Sequence, residues 1–479
     1  MSLKKSYIIN TAIFGTSTFI NSLISYIIIV ILSRTLGAQG LGNYSFIFSY
    51  SAMFFLFSDL GISTLTIKEL AHDFSNADDY LSNVVVLKFL IILLTFFVYL
   101  AISFISHSST EILLALIFVG IVQSISNFGS IFNAVLRVKN KGKTIAIATF
   151  VERMIVLTIG GLSLLILKSF DLFIMSFILS NLAMAGIYFY SAKKFFTIRL
   201  HFDLNFIKPL ILRALPFVFI NAFGFIYVQI DSIMLYFLKD AIVTGWYSSG
   251  YKLINLFNNI PGILLMFGFP SFSYLLSRDK KALKKLFNTI IRWSLIIYVP
   301  ILAAISILSY RVLQIIYHFN SVESSYSLII LMFAELFIII SNLMGALIVS
   351  DKQKTFAYIS GIGAAVDLLL NFILIPPFSL YGAGIATMTS YIVMQVFMTK
   401  YINKNLFKTE ILKSIYKPII GSIIMSIAIF FMLSINLIFI VPVAIIVYVI
   451  SMLILGLNKE DKEFTSGIMK FIKNKLKNR

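Results

Sequence analysis

The chain contains no cysteine, no proline before Pro209 and few charged residues. The missing cysteine excludes disulfides and cysteine-based metal or redox centres. Charged residues make up only 12% of the chain, whereas hydrophobic residues make up 59%. This balance lies far outside the range of soluble domains and indicates a membrane protein.

Apolar runs of about 20 residues, the length that a helix needs to cross a bilayer, recur along the whole chain. The runs are continuous rather than alternating, so they predict an all-α integral membrane protein with helical spans. We predict fourteen spans, at about residues 9–33, 41–67, 80–105, 111–136, 144–167, 170–191, 209–237, 243–275, 286–309, 325–349, 355–375, 381–402, 414–434 and 437–456.

The positive charge follows these predicted spans. Of the 39 Lys and Arg residues, 31 fall in segments on the N-terminal side of the membrane and 4 in the opposite loops. The four opposite residues are Arg34, Lys168, Lys239 and Arg311. Because basic residues concentrate in cytoplasmic loops, both termini are predicted to be cytoplasmic, in a multi-pass protein of the inner membrane. The net charge of +19 is thus a topology signal and does not call for a nucleic-acid partner.

The chain also carries a degenerate internal repeat. Residues 32–36 (LSRTL) and 42–45 (GNYS) return 203 positions later as 235–239 (LYFLK) and 245–248 (GWYS). Residues 143–146 (KTIA) return 211 positions later as 354–357 (KTFA). Two matches in the same order predict two homologous halves, with both GNYS and GWYS forming turns on the outer face. With six spans each, the halves are parallel repeats, the usual architecture of a transporter with a site between its halves.

This repeat sets the predicted domains. Residues 1–205 form an N-lobe with spans 1–6, and residues 206–410 form a C-lobe with spans 7–12. Residues 411–457 hold spans 13–14, and residues 458–479 form a cytoplasmic basic amphipathic tail suited to anionic lipid. Pro216, Pro261, Pro270 and Pro300 fall in or near spans 7–9, so bending during transport, or alternatively static kinks, is predicted for the C-lobe.

The span count of six, six and two, together with residues 32–44 (LSRTLGAQGLGNY) and 58–61 (SDLG), resembles the polysaccharide transporter branch of the MOP exporter superfamily. This branch includes the Wzx-type flippases, and related families are the MurJ-type lipid II flippases and the MATE drug exporters. The resemblance implies a V-shaped, two-lobe transporter that moves polyprenyl-pyrophosphate-linked oligosaccharide from the inner to the outer leaflet. It also implies alternating access coupled to H⁺ or Na⁺.

Basic residues inside the spans are candidates for the lipid pyrophosphate, because a buried phosphate needs cationic partners. These candidates are Lys252, Arg153, Arg292 and Lys88, of which Lys88 and Arg292 lie near cytoplasmic span ends where they would also snorkel. MurJ-type relatives carry a basic cavity residue in the part of span 8 that corresponds to Lys252. Glu152 and Arg153 point about 100° apart on a helix, so we expect them not to satisfy each other.

Acidic residues concentrate in the predicted C-lobe. Asp231, Asp367, Asn371 and Thr387 are predicted at one depth and offer oxygen ligands to a coupling ion, with Na⁺ at the first three. Some relatives hold a cation between spans 7, 11 and 12, the predicted spans that contain these residues. Their alternative role is helix packing through polar contacts. Glu335 and Glu152 are candidate relay groups, and the counterparts of Asp231 and Asp367 in the first half are Ile28 and Val156.

An enzyme is disfavoured, because the four histidines fall in loops or at span ends and no paired acidic motif for a sugar-nucleotide metal site is present. We therefore predict a secondary transporter without a cofactor, functional as a monomer, whose partners are lipid-linked oligosaccharide, membrane lipids and Na⁺ or H⁺. Two alternatives are a MATE-like cation-coupled multidrug exporter, with an acidic and aromatic cavity, and a MurJ-like lipid II flippase. Whether Lys252 and Arg153 face the transport cavity distinguishes the lipid-phosphate reading from the drug exporter.

Overall fold

The computed structural model describes residues 3–106, 109–197, 203–276, 278–319 and 321–456. Within these residues the chain forms thirteen α-helices and no strand. The helices are α1 (Leu3–Asp59), α2 (Ile62–His72), α3 (Ala77–Ser106), α4 (Thr110–Val138), α5 (Gly142–Ile155), α6 (Phe170–Ala192), α7 (Leu204–Leu238), α8 (Ala241–Leu276), α9 (Lys280–Tyr317), α10 (Val322–Asp351), α11 (Gln353–Asn405), α12 (Ile411–Phe431) and α13 (Leu437–Ile454). The predicted all-helical membrane fold is confirmed; the predicted basic tail, residues 458–479, lies outside the described residues.

Two of these helices each contain a backbone break. Gly37 (φ 67°) interrupts α1, and Ser379 (φ 55°), two residues after Pro377, interrupts α11. Each break separates two of the predicted spans, so the long helical segments follow the predicted order. Eleven helices in the described part of the chain are long and apolar enough to cross a membrane. The exact number of fourteen crossings stays a prediction.

The structure corrects the predicted second span. A single helix was expected over residues 41–67, but α1 ends at Asp59 and α2 begins at Ile62. Leu60 (φ 45°) and Gly61 (φ 70°) adopt left-handed backbone between them. A Cβ on Gly61 would lie 2.8 Å from the carbonyl oxygen of Ala214 in α7. The close approach of α7 therefore fits a glycine at this break, which the hydrophobic pattern does not reveal.

The α5 helix also departs from regular geometry. Beyond Ile155 it continues as two π-helical stretches, Val156–Gly160 and Ser163–Leu167. Lys168 ends this run in left-handed backbone (φ 48°). The predicted span 5 is therefore helical throughout, but its second half is wider than an α-helix.

The described chain divides into two compact units. The first comprises residues 1–256, 313–324 and 364–386, and the second comprises residues 257–312, 325–363 and 387–479. The core of the first unit packs α2, α3, α4, α6 and the N-terminal part of α7 around buried aliphatic side chains such as Leu81 and Val135. A cluster in the second unit packs α12 and α13 against α9. The predicted boundary between lobes at residues 205 and 206 stays a prediction.

The connection between α6 and α7 is held at both ends by α3. The backbone N–H of Thr197 donates a hydrogen bond to Asp78 Oδ1 (2.9 Å). The N–H of Asp203 donates to Asn83 Oδ1 (2.7 Å). Polar side chains at the start of α3 therefore satisfy backbone donors of the linker.

Three of the four basic residues predicted on the outer side interact with backbone carbonyls at helix C-termini. In the first unit, Arg34 donates to the carbonyl oxygens of Ile315 (2.6 Å) and Ile316 (2.8 Å), in the last turn of α9. Lys239 donates to the carbonyl oxygen of Pro376 (2.7 Å), just before the break in α11. In the second unit, Arg311 donates to the carbonyl oxygen of Leu433, just after α12. A cation stabilises unpaired carbonyls at a helix C-terminus, which gives these exceptions to the charge asymmetry a structural role.

One exposed ion pair joins two predicted cytoplasmic segments of the second unit. Lys284 Nζ lies 2.6 Å from Glu410 Oε1. The hydrogen bond and charge of Lys284 lower the pKa of the Glu410 carboxyl below its ordinary value. Both side chains are partly exposed, so the pair orients the loop before α12 more than it stabilises the fold.

Candidate functional site: a cationic cavity and a buried carboxylate cluster

The two copies of the repeat meet at a helix crossing in the first unit. A Cβ added to Gly42 would lie 1.7 Å from the carbonyl oxygen of Ala241, and a Cβ added to Gly245 would lie 1.9 Å from that of Ala38. Ala38 and Ala241 are themselves 203 positions apart, so the contact is reciprocal. Both repeat segments lie within helices and not in turns, which corrects the prediction. Only glycine allows two helix backbones to approach this closely.

A cavity of about 650 Å³ lies within the first unit. One wall is a polar face of α1, formed by Ser17, Thr18, Asn21, Ser22 and Ser25. The remaining lining comes from further α1 residues such as Ile28 and Tyr44 and from α4, α5, α6 and α8, including the end of α4 and most of α5. The lining therefore runs from the predicted cytoplasmic ends of α4 and α5 to Tyr44, two residues from Gly42 of the glycine crossing.

The polar wall is ordered by side-chain hydrogen bonds. Asn21 Nδ2 donates to Thr149 Oγ1 (2.9 Å), which joins α1 to α5. Asn21 Oδ1 is buried and has no hydrogen-bond partner among the described residues. Gln123 also lines the cavity, and Asn127 Nδ2 donates to its backbone carbonyl (3.0 Å). The wall thus presents neutral donors and acceptors of the kind that bind sugar hydroxyls.

Three cations line the cavity: Lys252, Arg153 and Arg137. The Lys252 ammonium lies 5.9 Å from the centroid of the Tyr44 ring, and within the described chain it has no hydrogen-bond or ion-pair partner. The position of Lys252 and Arg153 on the cavity wall is the arrangement on which the lipid-phosphate interpretation depends. Arg137 was missed, because the sequence reading counted it only as a topology signal at the end of span 4.

Arg153 and Glu152 form an ion pair, contrary to expectation. Arg153 Nε lies 3.2 Å from Glu152 Oε2, with 35% of the Arg153 side chain and 8% of the Glu152 side chain exposed. The angular argument failed because the arginine side chain is long enough to fold back across the 100° between neighbouring positions. Among the described residues, Glu152 is the only acidic one that lines this cavity. The lining therefore carries three cations and one carboxylate.

Lys88 lies away from the cavity lining, in a separate buried network. Its Nζ is 2.6 Å from Asp59 Oδ1 and donates to Ser63 Oγ (2.8 Å), Ser130 Oγ (2.6 Å) and the carbonyl oxygen of Asn127 (2.9 Å). The side chain is 0% exposed. All three ammonium protons are thus engaged by neighbouring side chains and backbone. The geometry does not support Lys88 as a ligand of the pyrophosphate, and the network instead joins α3 to α1, α2 and α4.

Three predicted site residues belong to the second unit. Arg292 is half-buried in α9, Glu335 is buried in α10, and Thr387 is buried in α11 beyond its break at Ser379. Their roles as pyrophosphate ligand, relay group and ion ligand stay predictions. The first unit contains the other members of both predicted sites.

A buried polar cluster joins α7, α8 and α11 in the first unit. Asn371 Nδ2 donates to Asp231 Oδ1 (2.8 Å), and the Tyr247 hydroxyl donates to Asp231 Oδ2. Asn371 is 0% exposed, and its Oδ1 has no hydrogen-bond partner within the described part of the chain. Asp231 and Asn371, 140 positions apart, are therefore neighbours, as the shared-depth argument predicted.

Asp367 extends this cluster along α11. It lies one turn before Asn371, about 6 Å along the helix axis, on the same face. It is 0% exposed. Among the described residues, no three His, Cys, Asp or Glu side chains converge in an arrangement that would hold a metal ion. The cluster therefore offers two carboxylates and one amide oxygen, a set suited to a proton or a weakly held hard cation rather than a structural transition metal.

The comparison with known proteins agrees with this architecture. The structure is similar to that of the lipid II flippase MurJ in its inward closed conformation, with a TM-score of 0.77 and 16% identity over 95% of this chain and 99% of that one. It is also similar to an inward-facing MATE family transporter of the MOP superfamily, with a TM-score of 0.62 and 13% identity over 80% and 95% of the two chains. The sequence is 22% identical to the capsular polysaccharide biosynthesis protein CapF of Staphylococcus aureus, over 79% of this chain and 94% of that protein.

The likeness to these solved structures shows that the chain has the fold of the MurJ and MATE family transporters. Residues 8–276 match the model of the polysaccharide biosynthesis protein family. Because this match spans more than half of the chain, the protein belongs to that family.

Proposed function

We propose that this protein is a flippase that moves polyprenyl-pyrophosphate-linked oligosaccharide from the inner to the outer leaflet of the cell membrane by alternating access. The supporting observation is the composition of the described part of the cavity wall, where Lys252, Arg153 and Arg137 outnumber the carboxylate of Glu152. Phosphate oxygens leaving water need such charge-assisted donors. The neutral amide and hydroxyl groups of α1 suit the attached sugars.

The sign of the cavity charge favours this function over a MATE-like exporter of cationic drugs. A cationic drug would bind next to three positive side chains with only one carboxylate, already paired with Arg153, to compensate. Repulsion between like charges in a partly desolvated cavity would weaken its binding. A lipid II flippase would bind the same pyrophosphate group, so the test also includes lipid II as a substrate.

The coupling ion is assigned to the cluster of Asp231, Asp367 and Asn371. Two buried carboxylates in a membrane protein are costly unless a cation or a proton reduces their charge. The amide oxygen of Asn371, which no described residue binds, supplies a further neutral ligand. We assign this cluster to H⁺ or Na⁺, with Tyr247 orienting the Asp231 carboxylate.

Leaflet accessibility in proteoliposomes tests the proposed function. A lipid-linked oligosaccharide and lipid II, each fluorescently labelled, are reconstituted with the protein, and exposure on the opposite leaflet is measured by lectin or enzyme access. Lys252→Met together with Arg153→Gln should reduce flipping at least tenfold. Lys139→Gln is the matched control, because this basic residue lies 3.2 Å over the Phe74 ring and not on the cavity wall.

Full flipping by the double variant, with either substrate, would refute the assignment of the cavity. The ion assignment is tested separately by applying H⁺ or Na⁺ gradients to proteoliposomes containing Asp231→Asn with Asp367→Asn. Gradient-driven flipping should be lost, whereas gradient stimulation equal to that of the unmodified protein would contradict the coupling role.

A further inference from the structure

A basic residue at the predicted cytoplasmic end of α4 has a position unlike that of its neighbours. Residues 137–143 contain four basic side chains, which the sequence explains by membrane topology alone. In the structure, Lys139 lies 3.2 Å over the Phe74 ring, and Lys141 lies 5.6 Å from the Phe195 ring. Arg137 instead lines the transport cavity. Membrane topology does not require this difference.

Arg137 also borders a second cavity of about 370 Å³. Ser63, Thr64, Ser126 and Ser130 line that cavity, and Ser126 lines the larger one as well. The Ser63 and Ser130 hydroxyls also accept hydrogen bonds from Lys88. The guanidinium therefore lies where a positively charged cavity adjoins a hydroxyl-lined one. A phosphate with sugars attached needs these two chemistries side by side.

The Arg137 side chain is exposed and oriented but not neutralised. Its Nε donates to Asn133 Oδ1 (2.7 Å), an interaction within one turn of α4. In the described part of the chain, no carboxylate forms an ion pair with it, whereas Arg153 is paired with Glu152. The two Nη groups remain free for a bidentate contact, which is the geometry that phosphate prefers.

Arg137 and Arg153 lie at different depths. Arg153 is eleven residues beyond the start of α5, about 16 Å along the helix at 1.5 Å per residue. Arg137 precedes that start and belongs to the last turn of α4. A headgroup that enters from the predicted cytoplasmic end therefore meets Arg137 before Arg153.

We propose that Arg137 forms an initial binding site for the pyrophosphate headgroup of the lipid substrate, which the headgroup occupies before it reaches Arg153 and Lys252. This inference rests on the proposed flippase function and adds a loading step to it. Arg137 sets the affinity of loading, whereas Lys252 sets the rate of movement through the membrane.

The experiment uses the full-length protein in nanodiscs of zwitterionic lipid. Three probes are titrated: farnesyl diphosphate, farnesyl monophosphate and a short-chain phosphatidylglycerol. Arg137→Gln should weaken binding of farnesyl diphosphate about tenfold, since one charge-assisted contact is lost, and should affect phosphatidylglycerol much less. Arg137→Lys keeps the positive charge but loses the bidentate guanidinium, so its affinity for farnesyl diphosphate should lie between those of the unmodified protein and Arg137→Gln. Lys139→Gln should bind all three probes as the unmodified protein does.

In the flipping assay, Arg137→Gln should raise the half-saturating substrate concentration about tenfold at an unchanged maximal rate. Lys252→Met should lower the maximal rate. Thermal melting verifies that the variants are folded, and Arg137→Lys carries the test if Arg137→Gln is unstable.

Two results would overturn the inference: diphosphate affinity in Arg137→Gln equal to that in Lys139→Gln, or equal weakening for phosphatidylglycerol and diphosphate. The second result would assign Arg137 to ordinary anionic lipid. A failure of the proposed flippase function can be distinguished from a failure of this inference. In the former case Lys252→Met and Arg153→Gln would also leave flipping and diphosphate binding unchanged.

Discussion

The two copies of the repeat have the same backbone contact but different polar surroundings. Gly42 and Gly245 approach the backbones of Ala241 and Ala38 reciprocally. Two residues further on, Tyr44 lines the cavity near Lys252, whereas its counterpart Tyr247 is buried and donates to Asp231. The two repeat segments therefore share the helix crossing, and the side chains around it differ, with a cavity wall beside one segment and a carboxylate cluster beside the other.

The residues opposite each tyrosine account for this divergence. Asp231 in α7 corresponds to Ile28 in α1 by the 203-residue offset, and Ile28 lies on the cavity wall. An aliphatic side chain there accepts no hydrogen bond, so Tyr44 packs beside Lys252 and the rings of Phe48 and Phe177 instead.

The largest expected effect concerns the close glycine contact that the two repeat copies share. Gly42→Ala and Gly245→Ala should each lower the free energy of unfolding by about 3 kcal/mol, because the added Cβ overlaps a backbone carbonyl that cannot rotate away. Equal losses in both variants would support the reciprocal contact. The measurement is unfolding by SDS titration in mixed micelles.

Gly224→Ala is the matched control for this pair. Among the described residues, a Cβ at Gly224 meets no heavy atom within 4 Å. Alanine there should be neutral or stabilising by about 0.5–1 kcal/mol, because glycine is unfavourable within a helix. If Gly42→Ala were as stable as Gly224→Ala, the close crossing would be wrong.

Tyr44 and Tyr247 test the difference in polar surroundings between the two copies. Tyr247→Phe should destabilise the protein by about 2 kcal/mol, because it removes a donor from the buried carboxylate of Asp231. Tyr44→Phe should change stability by less than about 0.5 kcal/mol, since the ring and its neighbours remain. Both are measured by the same titration, and similar values for the two variants would contradict the asymmetry.

The serines give the smallest expected effect. Ser45 and Ser248 occupy equivalent positions, and neither hydroxyl has a hydrogen-bond partner in the described residues. Ser45→Ala and Ser248→Ala should each be neutral or stabilising by up to about 1 kcal/mol, because no buried hydroxyl is then left unsatisfied. A loss above 1 kcal/mol in only one copy would reveal a partner there and extend the asymmetry to this position.

Some of the site could be predicted from the sequence, and some could not. Asp231 and Asn371 were paired through their expected depth in the membrane, and a hydrogen bond of 2.8 Å joins them. Lys88 was ranked with the cavity cations, yet Asp59 and two serines from other helices enclose it. Depth follows from the position of a residue along its span, but its neighbours depend on the rotation of each helix about its axis. The spans show no obvious heptad or amphipathic pattern, so the sequence does not determine how each helix is rotated about its axis.

By itself, the sequence determined the membrane class, the all-helical fold and the order of the helices. The reason is that bilayer thickness and backbone hydrogen bonding restrict apolar runs of this length to one structure. Only the tertiary structure decided that Arg137 reaches the cavity while Lys139 packs on Phe74, and that Gly42 and Gly245 meet. These outcomes depend on which helix faces touch, and that is settled by packing between segments far apart in the chain.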